Sequence, residues 1–259
     1  MPELPDLQVF SQNLTETYVG KTLKQISVPN ARKLNVPVSK LKSSLKNQKL
    51  VKVKREGKEL HFEFNNGNIL ALHLMLRGKL YHFEGKNTQK YSIIELTFSD
   101  NTGLALTDFQ GQAAPTFNPE PRDAPDALSP EVNLSFLKAT LSKSKAVVKN
   151  VLLDQHVIRG IGNAYADEIL WDARISPFSI SNKIPVNAVK ALVKSIKKVL
   201  RQAEKNIIKS HPDIISGEVR DFMLIHNSKK KKSPKGALIE VKSVGARKTY
   251  FTSEQKLFK

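Results

Sequence analysis

The chain has 259 residues, 40% of them hydrophobic and 25% charged, enough for a substantial core in one large domain or two modest ones, and two are expected. It has no cysteine, which excludes disulfides, thiolate catalysis and cysteine-ligated zinc; its six histidines nowhere take the i, i+4 spacing of a helical metal site, so no metal is expected. The net charge of +18 is polarised, with 17 basic and 13 acidic residues in 1–130 against 25 and 11 in 131–259, as suits a surface that meets a polyanion.

In chain order, the first element is a helix. Pro5 suits its first position, and Leu7, Phe10, Leu14 and Tyr18 recur at helical spacing up to a stop near Gly20. Pro2 lies ahead of that helix and, once the initiator methionine is removed, carries the free amine of the chain. Short alternating or apolar runs follow: TLKQISV, KLVKVKRE, ELHFEF, NILALHL, KLYHF, YSIIELTF and GLALTDF, separated by turn signals such as NNG and SDNTG. They predict an antiparallel β-sandwich or barrel, interrupted by a short basic helix, SKLKSSLKNQ. No apolar run is long enough to span a bilayer, and Pro2, Glu3 and Asp6 stand where a signal peptide needs basic and apolar residues. A cytosolic or, in a nucleated cell, nuclear location is therefore expected, with no membrane partner.

Residues 114–130 are proline-rich and aperiodic, which predicts a linker between a domain at 1–113 and one at 131–226. Pro130 and Glu131 suit a helix start, and LSFLKATL and KAVVKNVLLDQ carry the 3.6-residue period. In residues 187–210, Val189, Leu192, Ile196, Val199, Ala203 and Ile207 line one face of a long helix; the lysines opposite are read as solvated. Residues 227–259 comprise a basic loop, KKKKSPKG, and a hairpin, ALIEVKSVGARKTYF, turning near Gly245.

Between these helical patterns lies DQHVIRGIGNAYADEILWDARISP, residues 154–177. It reads as two helices joined through Gly160–Asn163, where glycines permit left-handed backbone and close approach. Free N–H groups at the start of the second helix suit a phosphate, and Asn163 can cap that helix or donate its amide to the same phosphate. A tight glycine connection between packed helices would leave the same short pattern.

The 24-residue run closely resembles the helix-two-turn-helix segment of the formamidopyrimidine-DNA glycosylase and endonuclease VIII family. MPELPD at the start, REGKELHF in the β region and the terminal hairpin with its arginine follow the family's order, so the resemblance covers nearly the whole chain. It implies a two-domain α+β fold, an N-terminal antiparallel β-sandwich with flanking helices and a C-terminal helix-two-turn-helix domain ending in a β-hairpin finger. It also implies a bifunctional DNA glycosylase and AP lyase, acting as a monomer on double-stranded DNA with damaged bases or abasic sites, and without a cofactor. Pro2 would attack the sugar as a secondary amine; unperturbed α-amino groups titrate near about pH 7.7–8, so a useful fraction is nucleophilic at cellular pH. Glu3 would be the general acid and base, Lys58 and Arg247 would contact phosphate and assist elimination, and Lys149, Gly162, Asn163, His73, Leu76 and Arg77 would contact DNA.

The sequence departs from the family at three places. Thr252 and Gln255 stand where many relatives carry the last two of four zinc-binding cysteines, so a zincless finger is expected, held by packing of Leu238, Val241, Tyr250 and Phe251. Leu76, in HLMLRG, stands in for a methionine that fills the gap left by an extruded nucleotide, and Gly111 and Gln112 replace the arginine and phenylalanine that assist it. Asp6 replaces the usual glutamate. The loss at Gly111 and Gln112 keeps open a DNA-binding protein of this fold that has lost base excision; an RNA-binding or ribosome-associated protein would explain the charge but not the N-terminal motif.

Overall fold

The helix α1 (Leu4–Tyr18) forms where its apolar spacing places it, and Leu7, Phe10, Leu14 and Tyr18 are all buried. Its start lies one residue earlier than Pro5 suggests. Glu3 is the N-cap, and Pro5 occupies the second helical position, where an N–H would equally lack an intrahelical partner.

The computed structural model describes residues 1–259, which divide into two units: Met1–Pro121 with Ile207–Glu218, and Arg122–Asn206 with Val219–Lys259. No helix is long and apolar enough to cross a membrane. In the first unit the seven expected runs become β1 (Leu23–Ser27), β2 (Leu50–Glu56), β3 (Glu59–Phe64), β4 (Ile69–His73), β5 (Lys79–Glu84), β6 (Ser92–Phe98) and β7 (Thr102–Thr107), with the basic helix α2 (Val38–Leu45) between the first two. They build two antiparallel four-stranded sheets, ordered β1-β6-β7-β5 and β2-β3-β4-β8. One cluster of buried side chains, including Phe10, Phe62, Phe64 and Phe98, fills this unit.

The last strand, β8 (Ala114–Phe117), corrects the expected linker at 114–130. It pairs with β4 from His73↔Ala114 to Leu70↔Phe117. Its proline hides it in the sequence, yet an edge strand tolerates proline because one row of N–H groups faces away from the ladder. The boundary at 131–226 is also interrupted, since residues 207–218 belong with the β unit. There Asn13 donates to the carbonyls of Pro212 (2.7 Å) and Ile214 (2.8 Å), and the Leu80 N–H donates to Ser216 Oγ at 3.0 Å.

The second unit contains α3 (Leu134–Ser142), α4 (Val148–Leu153), α5 (Asn163–Asp172), most of α6 (Val186–Ser210) and a terminal hairpin of β9 (Ile239–Val244) and β10 (Arg247–Thr252). The first of these starts later than Pro130 suggests, because Asn133 caps it by accepting from the Phe136 N–H at 3.0 Å. On α6, Leu200 rather than the half-buried Val199 completes the buried stripe. The hairpin turns at Gly245, whose φ of +59° is the left-handed conformation that glycine adopts without a Cβ clash.

Candidate active site and nucleic-acid interface

Pro2 and Glu3 are fixed by the helix they precede. The Glu3 N–H donates to Asp6 Oδ2 at 2.9 Å, and the Glu3 carboxylate meets the Asp6 N–H, closing a reciprocal capping box. Asp6, the shorter replacement for the family's glutamate, thus reaches the cap. Both carboxylates are buried, at 5% and 1% exposure, at the N-terminus of α1.

Pro2 is buried in the wall of a cleft of about 820 Å³. The cleft is also lined by Leu76, Arg77, Lys79, Lys90 and Glu218, and the last of these is ion-paired with the Met1 ammonium. While Met1 is attached, the Pro2 nitrogen is an amide and has no lone pair to donate.

Leu76 and Arg77 reach the cleft on a turn closed by the Gly78 N–H to the Leu74 carbonyl at 2.8 Å. Met75 holds a φ of +53°, His73 Nδ1 accepts its N–H at 3.0 Å, and Leu76 is left 67% exposed. His73 therefore supports this turn. Gly111 and Gln112 lie in a loop folded around the buried Asp108 carboxylate, which accepts N–H groups from Gln110, Gln112 and Ala113 at 2.8–2.9 Å. Gly111 has φ +62°. Lys58 sits not on a strand but with Gly57 in the two-residue turn between β2 and β3, half-buried.

In the second unit, Gly160 takes the expected left-handed turn with φ +101°, whereas Gly162 is extended at φ −118° and is the N-cap of α5. Asn163 is therefore the first helical residue and not the cap. Its amide donates to the Lys248 carbonyl at 2.9 Å, while its Oδ1 is buried without a hydrogen-bond partner.

Lys149, expected at the DNA, is held inside the second unit. It is fully buried, and its Nζ lies 2.6 Å from Asp167 Oδ1 and 2.8 Å from Thr249 Oγ1. A lysine with 0% exposure and a buried carboxylate partner cannot reach a phosphate without breaking that pair. Asp167 Oδ2 also meets His226 Nδ1 at 2.7 Å and accepts the Tyr250 N–H at 2.9 Å. Next to it, burial pushes the Glu168 carboxyl above its usual range, although N–H groups of Leu224, Ile225 and His226 oppose this.

Arg247 opens β10 and is exposed, as a phosphate contact requires. The expected hairpin packing is not found: Leu238 and Val241 are 66% and 50% exposed, and of the four only Tyr250 and Phe251 are half-buried. Phe251 packs edge-on against Phe178, but polar groups make the anchor. Thr252 and Gln255 are buried together: Gln255 Oε1 accepts the Thr252 N–H at 2.9 Å, and its amide donates to the Ile175 carbonyl at 2.9 Å. Trp171 Nε1 donates to Glu254 at 2.9 Å. Burial works to raise the Glu254 carboxyl, but hydrogen bonds from Ser233, Trp171 and Thr252 outweigh it and hold the group below its usual range.

Two family profiles match this chain: the formamidopyrimidine-DNA glycosylase N-terminal domain over residues 1–114 and the formamidopyrimidine-DNA glycosylase H2TH domain over 124–211. The formamidopyrimidine-DNA glycosylase of Mycoplasma genitalium is 34% identical over 275 aligned positions, covering 97% of this chain and 94% of that protein. The chain belongs to the formamidopyrimidine-DNA glycosylase family. The enzyme of the same name from Lactobacillus gasseri is 32% identical, over 79% of this chain and 78% of its own. A Lactococcus lactis Fpg solved with abasic-site DNA shares the fold, with a TM-score of 0.88 at 24% identity, covering 98% of this chain and all of that one.

For a formamidopyrimidine-DNA glycosylase, the residues at the hairpin base do not fit a zinc ion. Thr252 and Gln255 offer no thiolate, and their polar atoms are engaged with each other, with Glu254 and with Ile175. Sequence reasoning missed Lys79, Tyr91, Phe109 and Glu218, all of which line the Pro2 cleft. Tyr91 and Phe109 were hidden because each stands at the end of an apolar run, YSIIELTF and GLALTDF, that reads as a strand, whereas the strands stop short of both.

Proposed function

We propose that this family member is a DNA glycosylase with AP lyase activity in base excision repair, and that Pro2, once Met1 is removed, is its nucleophile. The observation that carries this reading is Pro2 in the wall of a cation-lined cleft, beside the capped and buried Glu3. The freed secondary amine attacks C1′ of the damaged nucleotide, and the bond to the base breaks. Glu3 protonates the opening sugar ring, so an iminium joins Pro2 to C1′. That cation acidifies the C2′ proton; its loss expels the 3′ phosphate, and water then releases the enzyme amine.

Lys58 and Arg247 contact the flanking phosphates and assist elimination, while the start of α5 at Gly162 and Asn163 supplies N–H donors to another phosphate. Leu76 and Arg77, on the turn supported by His73, enter the gap left by the extruded nucleotide. Relatives named for formamidopyrimidine lesions, and neighbours solved with abasic-site and FAPY-dG DNA, support ring-opened or oxidised bases and abasic sites as substrates. The enzyme acts in the cytoplasm, on the nucleoid of a bacterial cell.

Gly111 and Gln112, where the family has larger void-filling residues, favour a second reading in which the fold binds damaged DNA without excising a base. Borohydride trapping on abasic DNA separates the two. A covalent adduct that is lost in Pro2→Gly and weakened in Glu3→Gln supports lyase chemistry; tight binding without an adduct, from protein whose intact mass shows Met1 removed, refutes it.

A further inference from the structure

The aromatic residues of the β unit range from buried to largely exposed, with Tyr81, also in the Pro2 cleft, and Phe83 half-buried. Phe10, Phe62, Phe64 and Phe98 are at most 2% exposed, whereas Tyr91 is 66% and Phe109 61% exposed, and both line the Pro2 cleft. Single exposed aromatics are ordinary. These two, however, leave the same end of one sheet. Ser92 at the start of β6 pairs with Thr107 at the end of β7, so Tyr91 and Asp108, just outside the two strands, are neighbours and Phe109 is the next residue on. The Asp108 N–H donates to the Tyr91 carbonyl at 3.0 Å, tying the two loops together.

Both rings stand on constrained backbone. Tyr91 holds a φ of +61°, which a bulky L-residue seldom adopts unless its surroundings impose it. Phe109 follows Asp108, whose buried carboxylate gathers the N–H groups of Gln110, Gln112 and Ala113, so the loop cannot fold the ring inward without losing them. Cations flank the pair: Lys90 precedes Tyr91, and Lys79 pairs in register with Thr107.

We propose that Tyr91 and Phe109 form a stacking platform for a nucleobase displaced from its duplex when DNA occupies the Pro2 cleft. Aromatic faces held outward beside phosphate-seeking cations recognise an unstacked base through its π-face, whatever its hydrogen-bonding edge. Phe109 stands in the loop that bears Gly111 and Gln112, with Tyr91 in the loop tied to it, and the pair supplies an apolar surface that those two residues do not. The proposal relies on the DNA-glycosylase reading for its ligand, and on the loop geometry for its residues.

The test uses the full chain and duplexes with an abasic-site analogue beside 2-aminopurine, compared with undamaged duplex. Tyr91→Gly, which suits the positive φ, and Phe109→Ala are each expected to weaken abasic-duplex binding roughly tenfold. The slope of affinity against salt should stay unchanged, because no phosphate contact is removed. Tyr91→Phe should bind as the native chain does. Native protein should change the 2-aminopurine emission in a way the double variant does not. Native affinity and native emission in the double variant, or an equal loss on undamaged duplex, would overturn the platform. Borohydride trapping is read separately: no adduct from the Met1-free native chain removes the lyase reading, while emission that depends on Tyr91 and Phe109 still upholds the platform.

Discussion

Replacing Lys149 by methionine decides between two roles for one residue. The family pattern gives this lysine to DNA; the structure gives it to Asp167, at 2.6 Å and with both side chains at 0% exposure. At an effective dielectric constant of about 20, that separation corresponds to a gross attraction of about 6 kcal/mol, largely offset by the desolvation of both ions. Methionine fills similar space but strands a buried carboxylate, which costs about 3–5 kcal/mol, or roughly 6–20 °C in melting temperature for a chain of this size. Thermal denaturation followed by circular dichroism measures it. The double variant Lys149→Met/Asp167→Asn buries no ion and should recover about half the loss or more. A Lys149→Met protein that melts within about 2 °C of native, yet binds DNA more weakly and with a shallower salt dependence, would refute the structural role and restore the phosphate contact.

Glu254 predicts a pH signature. Its folded pKa lies below the ordinary 4.5, so the stability it contributes is present above pH 4.5 and lost as pH falls through the folded value. Glu254→Gln should therefore melt below native at pH 7 and converge with it in acid; a gap that persists at low pH would contradict this. Prolonged treatment with a metal chelator should leave melting temperature and DNA affinity unchanged, since the hairpin base offers no zinc donor set, and a drop in either would reveal a metal there. In Gly78→Ala the new Cβ would lie 2.2 Å from the Leu74 carbonyl oxygen, so the turn presenting Leu76 and Arg77 must move. Borohydride trapping on abasic DNA should slow by about tenfold to a hundredfold, while the salt slope stays near native; an unchanged trapping rate would show that the turn does not position DNA.

The β unit was legible because its strands alternate and its turns carry glycine and asparagine: all seven expected runs are strands. Ala114–Phe117 escaped because a proline suppresses any strand reading, although at a sheet edge it does no harm. Pro2 stands out in the sequence because a proline ahead of the helix start is not explained by helix initiation, whereas Glu3 is accounted for locally as the cap of α1. The burial of Lys149 was not legible, for a physical reason. A lysine in a basic domain looks solvated or DNA-facing, and only the fold reveals an aspartate 18 residues on, buried against it. The hairpin was misread in the opposite direction: Leu238 and Val241 are apolar like core residues, yet Leu238 lies just ahead of β9, Val241 lies on it, and both are exposed.

What holds that finger is written in the next helix as a polar period. Asn163, Asp167 and Trp171 are spaced i, i+4, i+8 and so share one face of α5, and they hydrogen-bond in order to Lys248, Tyr250 and Glu254. The spacing works because four residues of helix rise about 6.0 Å, while two residues of strand rise about 6.6 Å, so a helix and a strand running the same way stay in step for two such contacts. The third falls beyond Thr252, where the strand has ended and the chain has more freedom to meet Trp171. Lys149 and Thr249 brace the central rung. A zinc ion fixes a hairpin at a single point through thiolates; here the restraint is spread along the strand that carries Arg247, and Val241 of β9 faces solvent. The same distribution makes Asp167 the most exposed to failure of the three, since its one carboxylate serves Lys149, His226 and Tyr250 together.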